Sequence, residues 1–215
     1  MTATPDRTPA ARDLALFDFD GTITTRETFP DFMARAVPRG RLALGRVLFA
    51  PWVVGYRLGV VPVALLRTAL VRYAFSGVPL AEVEAAGAAL AADVLPGLVR
   101  PEMQARIDWH RARGDTVVVV SGGFDVYLAP WCRAQGIDSL CSSLAAREGR
   151  LTGRYAGAQC MAKEKARRER YDLDGYRAIH AYGDTHEDHA LLALADHATY
   201  RGVAWVRDAT QMSRA

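Results

Sequence analysis

Hydrophobic positions in this chain fall into two patterns: short unbroken apolar runs, and longer stretches with helical spacing. Asp13–Phe19 carries LALF without alternation, as expected for a central parallel strand covered on both faces. Asp115–Ser121 (DTVVVVS) repeats the pattern, with Gly122-Gly123 directly after it and a helical stretch over Asp125–Gln135 that stops at Gly136. Strand, glycine turn and helix make one βα unit. Arg177–Tyr182 predicts a third strand, ending in Gly183-Asp184 and followed by a helix over His186–Ala195, and Tyr200–Val206 predicts a last one. Ser139–Ala146 and Arg150–Tyr155 read as extended segments around Glu148-Gly149, a hairpin or a strand with a flap. Cys160–Tyr171 is a highly charged helix.

Between the first and second strands the alternation stops. Phe29–Val37 predicts a short helix and Leu80–Asp93 an alanine-rich one. Pro96 and Pro101 bracket a turn into a helix over Glu102–Arg113, ended by Gly114. From Arg39 to Ser76 the chain is apolar, punctuated by arginine and interrupted by Pro51 and Pro62. Val47–Tyr56 and Leu58–Leu66 are each too short for a bilayer, which needs roughly 20 residues. Joined, they would hold Arg57 in mid-membrane at about 2.5–3.5 kcal/mol, so a helical cap with a greasy, basic face is expected instead. The reading is therefore an α/β fold, a doubly wound, Rossmann-like parallel sheet with an α-helical cap inserted after the first strand. Residues 1–12 form a loose tail, 13–24 and 95–215 the core, and 25–94 the cap.

Composition narrows the function classes. A chain of 215 residues suits one domain with a large insertion. Its net charge of +3 is too mild to imply nucleic-acid binding, but the charge is unevenly placed. No Asp or Glu occurs between Phe32 and Ala81, where Arg35, Arg39, Arg41, Arg46, Arg57, Arg67 and Arg72 all fall. That block is a site for anionic partners, including peripheral contact with an anionic membrane. Cys132, Cys141 and Cys160 show no metal-binding spacing, and with no export signal they fit a reducing cytoplasm.

The chemistry gathers where strands end. Asp18 and Asp20 are two apart in an extended chain and project together; Ser121 closes the second predicted strand, and Asp184 the third. In a doubly wound sheet those ends share one crevice. Asp184 and Asp188, four apart at a helix start, share a face. The four carboxylates provide oxygen ligands for Mg²⁺, while the Ser121-Gly122-Gly123 turn and the positive Lys163–Arg168 segment suit a phosphoryl group. His110, His186 and His189 read more simply as packing or capping residues than as catalysts. Glu27, just past the DGT turn, either faces substrate or is an exposed helix-start acid.

These motifs resemble those of the haloacid dehalogenase superfamily. Its DxDxT motif is met by Asp18, Asp20 and Thr22, its strand-closing Ser by Ser121, and its GDxxxD by Gly183, Asp184 and Asp188. The VVVVSGG, LTGRY and CMAKEKARR phrases are similar to the phosphoserine-phosphatase-like subfamily, whose lysine falls on Lys165, with Lys163 the other candidate because Ala162 stands where a glycine is expected. The resemblance implies Asp18 as nucleophile forming an aspartyl-phosphate, and Asp20 as acid and then base. It implies Mg²⁺ at the Asp18 carboxylate, the Asp20 carbonyl and Asp184, with Asp188 directly bound or one layer out. Thr22 orients the turn at the phosphate site; Ser121, the Gly122 amide and Lys165 hold phosphoryl oxygens, and Glu27 meets a substrate ammonium. The expected activity is hydrolysis of a small phosphate ester such as phosphoserine or another amino-alcohol phosphate. A membrane-surface lipid phosphatase of the phosphatidylglycerophosphate type, a phosphomutase and a non-enzymatic phosphate-sensing module are the alternatives.

Overall fold

The computed structural model describes residues 12–157, 159–160 and 173–206. In chain order, β1 (Leu14–Phe17) leads into α1 (Phe29–Ala36), α2 (Arg39–Arg57), α3 (Val63–Phe75) and α4 (Leu80–Asp93). Next come α5 (Pro101–Ala112), β2 (Thr116–Phe124), α6 (Asp125–Gln135), β3 (Asp138–Ser142), β4 (Leu144–Arg147) and β5 (Arg150–Tyr155). After the charged segment, which lies outside the described residues, follow β6 (Ile179–Gly183), α7 (His189–Leu192), β7 (His197–Tyr200) and β8 (Val203–Ala204).

The main sheet has the order β3-β2-β1-β6-β7-β8. Only the β7–β8 pairing is antiparallel. The chain moves outward from β1 through β2 to β3, then returns to the other side of β1. The reversal leaves a crevice beyond the carboxyl ends of β1 and β6. All four β1 residues are fully buried, which explains why this strand lacks alternation. Leu14 and Leu16 pack on one face with Val118, Leu191 and Leu192, while Ala15 and Phe17 pack on the other with Val117, Leu90 and Ile107. Burying each large apolar side chain contributes about 1.5–3 kcal/mol, so the strand that carries the first acidic pair is among the most firmly held.

Several elements differ from the sequence expectation. Pro51 does not interrupt α2 but lies inside it. Its missing N–H is outweighed by packing, with Phe49 buried and edge-on to both Trp52 and Tyr73. The break falls instead at Leu58–Pro62, where Gly59 has φ +74° and the Val60 and Val61 amides return to the Gly55 carbonyl. Arg57 thus ends a helix, and among the described residues no helix is long and apolar enough to cross a membrane. Strand β2 does not stop at Ser121. It runs on to Phe124, and its register with β3 shifts between Val120 and Phe124, a bulge that re-aims the intervening residues. The expected single segment Ser139–Ala146 is divided, β3 joining the main sheet and β4 pairing with β5 around Glu148-Gly149. The helix expected over His186–Ala195 is a 3₁₀ turn followed by the short α7. The last strand begins earlier, at His197, and folds back at Arg201-Gly202, both of positive φ.

At the opposite end of the sheet, Asp13 accepts hydrogen bonds from Arg113 Nη2 (2.9 Å) and from Arg177 Nε and Nη2 (2.8 and 3.0 Å). His110 is fully buried there, with Nδ1 2.9 Å from Asp115 and Nε2 2.9 Å from the Tyr182 hydroxyl. It packs against Phe17 and pairs with Asp115 and Tyr182.

Candidate active site

Asp18 follows β1 directly and is buried, its amide donating to the Tyr182 carbonyl (3.0 Å). The chain then makes a tight turn over Phe19–Ile23 in which Gly21 takes φ +84°. A Cβ there would lie 2.5 Å from Asp184 Oδ2, so this position needs glycine for both conformation and space. Arg100 braces the turn from outside, its Nε donating to the Gly21 and Thr24 carbonyls at 3.3 and 3.2 Å.

Across the sheet reversal, oxygens of Asp18, Asp184 and Asp188 all lie within 4.8 Å of one another. Hydrogen bonds hold the Asp184 and Asp188 carboxylates. Thr22 turns its hydroxyl to Asp184 Oδ1 (3.0 Å). Asp188 is fully buried, and its Oδ2 accepts from the amides of Asp184 (3.1 Å) and Thr185 (2.9 Å) and from the Thr185 hydroxyl (3.0 Å). Gly183 makes room for it, since a Cβ there would sit 2.6 Å from Asp188 Cβ. Three like charges this close repel by about 4 kcal/mol per pair at 4 Å and an effective dielectric near 20. A divalent cation relieves that repulsion, and an all-oxygen donor set fits Mg²⁺.

The Asp20 carboxylate is not one of these three. Its Oδ1 accepts from the Thr28 amide (2.8 Å) and the Thr28 hydroxyl (2.6 Å). Thr28 is fully buried, 3.5 Å from the buried Tyr127 hydroxyl. Sequence reasoning assigned no role to Thr28. The two residues lie eight apart, outside the short spacings at which a side chain bonds its neighbouring backbone, so no local pattern marked the contact.

Ser121 is buried, with its Oγ accepting from the Gly123 amide (3.0 Å). The Gly122 carbonyl accepts from Arg67 Nη2 (3.1 Å) and from Ser142 Oγ (3.3 Å). Arg67 comes from α3, its guanidinium 5.3 Å from the centre of the Phe29 ring. In the sequence Arg67 is only one arginine of the basic block. Asp18, Asp20, Glu27, Arg67, Ser121 and Gly122 all line a cavity of about 710 Å³, together with His186, Glu187 and residues of α2 and α3. Burial first, then the charge of Asp20, raises the Glu27 carboxyl above its ordinary range, and Arg67 opposes the shift. Lys163 and Lys165 lie outside the described residues.

Carboxylates following β1 and β6 and a serine of β2 thus gather at the reversal of a doubly wound sheet, where such sheets place their ligands. The chain belongs to the haloacid dehalogenase-like hydrolases, whose family model matches residues 15–193, a span that includes all of these carboxylates. Among individual proteins it is similar to Protein CicA of Caulobacter vibrioides, 37% identical over 196 residues covering 87% of this chain and 85% of that one. Among solved structures it shares its fold with a protein of unknown function from Bordetella pertussis Tohama I (TM-score 0.75, 22% identity, 88% of this chain and 89% of that one). It shares it also with a substrate-bound phosphoserine phosphatase (TM-score 0.62, 22% identity, 88% and 85%). A cytosolic 5′-nucleotidase IIIB bound to cytidine is a further neighbour (TM-score 0.66, 17% identity, 88% and 72%). The protein is an enzyme of the hydrolase class whose neighbours in fold include phosphatases.

Proposed function

We propose that this hydrolase is a Mg²⁺-dependent phosphomonoesterase acting through an aspartyl-phosphate on Asp18. The observation that carries the reading is the convergence of Asp18, Asp184 and Asp188 within 4.8 Å, with Asp18 lining the same cavity as Ser121 and Gly122. The Asp18 and Asp184 carboxylates and the Asp20 carbonyl, with Asp188 supporting, would hold Mg²⁺, which would supply positive charge against the phosphoryl oxygens. The Asp18 carboxylate attacks phosphorus, and the ester P–O bond breaks. Asp20 gives its proton to the departing alcohol oxygen, then takes one from the water that attacks the aspartyl-phosphate, which releases phosphate and restores Asp18. The two bonds from Thr28 hold Asp20 in one orientation for both transfers. The Ser121 hydroxyl accepts from Gly123 and keeps its own proton to donate to a phosphoryl oxygen, beside the Gly122 amide and Lys165 or Lys163.

Glu27 and Arg67 bring an acidic and a basic group to the cavity lining, which suits an alcohol bearing an ammonium and a carboxylate, as in phosphoserine, or another amino-alcohol phosphate. A screen of amino-acid, sugar, nucleotide and lipid phosphates with Mg²⁺ tests both points. Asp18→Asn should abolish release of phosphate from a generic aryl phosphate, and undiminished turnover would remove Asp18 from the nucleophile role.

A second reading places the enzyme at an anionic membrane surface. It is favoured by nine exposed large apolar side chains between Leu44 and Leu65, Trp52 among them, interspersed with arginines and no acid. Such a face binds anionic interfaces by apolar burial plus charge. Flotation with anionic vesicles tests it, and absence of binding at low salt refutes it.

A further inference from the structure

Beside the catalytic cavity lies a second concavity of about 500 Å³ between α1, α2 and α3. Its walls are almost wholly apolar, from residues such as Met33, Val37, Phe49 and Val54, and the charged side chains on them are Arg41, Arg46 and Arg57, all cationic. Phe29, Pro30, Val53, Arg57 and Leu70 line both spaces, so the two adjoin across a common wall. An apolar concavity of this size open at the surface is a ligand groove in the making.

We infer that this groove holds the hydrocarbon chain of an amphiphilic phosphate monoester whose phosphate sits at Asp18. The inference deepens the phosphomonoesterase reading and rests on it. The occupant is chosen by three features together. Contiguity with the catalytic cavity requires one molecule to have a phosphate end and an apolar end. Apart from its arginines and Tyr73, whose hydroxyl donates to the Arg41 carbonyl (2.9 Å), the lining is apolar and suits a hydrocarbon chain better than a sugar, nucleotide or peptide backbone. Arg57, which lines both spaces, complements the negative end of such an amphiphile and disfavours a cationic one. The exposed apolar residues of α2 surround the same region, where a chain would enter.

The test is calorimetric titration of the full-length protein in Mg²⁺ with n-butyl-, n-octyl- and n-dodecylphosphonate, non-hydrolysable and kept below micelle-forming concentration. Each methylene that becomes fully buried should tighten binding about fourfold, so dodecyl should exceed butyl by at least about 10²-fold. Val54→Asp places a charge in the groove from a position 55% exposed, and Ala34→Trp fills the groove from an exposed position of α1. Either should bring the dodecyl-to-butyl ratio close to one, with circular dichroism confirming that at least one variant is folded. Equal affinities along the series in the wild type, or a ratio unmoved in both folded variants, overturns the inference. Hydrolysis of phosphoserine and butyl phosphate with a flat series removes the groove and leaves the phosphatase. A steep series without hydrolysis of any ester supports the groove and removes the phosphatase.

Discussion

Thr28→Val isolates the contact that sequence reasoning missed. The substitution removes a hydroxyl donated to Asp20 at 2.6 Å while keeping the shape of a fully buried side chain and leaving the backbone bond at 2.8 Å in place. A hydrogen bond to a charged group contributes about 1.5–3 kcal/mol. With each 1.36 kcal/mol worth about tenfold in rate, full expression in the transition state predicts a fall in kcat of about 10- to 150-fold. The remaining amide bond keeps the loss below that of removing Asp20 itself, for which proton transfer is worth up to about 10⁴. Thr28 is not on the cavity wall, so KM should change little, and an apolar group of similar shape should leave the melting temperature nearly unmoved. The assay is steady-state phosphate release from an aryl phosphate in saturating Mg²⁺, with Thr28→Ser as the restoring variant. A kcat within about twofold of wild type, or a Thr28→Ser enzyme as slow as Thr28→Val, would refute the assignment of Thr28 as the residue that positions Asp20.

Three further outcomes are expected. The guanidinium of Arg177 first, with His180 also contributing, holds the Asp13 carboxyl down to about 2 from 3.8. Its contribution is therefore complete above the unfolded pKa and lost as pH falls from about 4 through 2. Because Arg113 and Arg177 are partly open to solvent, it is on the order of 1–2 kcal/mol; denaturant melts should show Asp13→Asn costing stability at about pH 6 and little near pH 2, and an equal cost at both would sink the linkage. Gly87 sits where α4 meets α6, and a Cβ there would run into the Val126 carbonyl. Gly87→Ala should cost about 1–3 kcal/mol and lower Tm by several degrees, whereas an unchanged Tm in calorimetry would mean that the helices separate without cost. Gly183→Ala should push Asp188 away from its two neighbours and raise the half-saturating Mg²⁺ by about 10- to 100-fold, measured by Mg²⁺ titration of activity; an unaltered requirement would count against Asp188 as a support of the metal site.

Residues close in sequence made much of this protein legible. The buried run before Asp18, the valines before Ser121 and the Gly-Asp after β6 mark strand ends by local pattern alone, and their order predicted a sheet whose ends converge. The helices after Thr28 were also readable, but the effect of Pro51 was not, because packing of Phe49 against Trp52 and Tyr73 decides it. The same limit applies at the site. That Thr22 serves Asp184 depends on a contact between residues 162 apart, and the entry of Arg67 beside Gly122 on how α3 lies over a strand 55 residues later. Ser121 was recognisable as a strand-end serine, yet the bulge that re-aims it arises from pairing with β3. The sequence by itself determined which chemical groups stand at strand ends, since backbone period and burial are local properties. Only the tertiary structure decided which carboxylates meet, which threonine aims Asp20 and what groove adjoins them, since these follow from contacts between segments that no local pattern encodes.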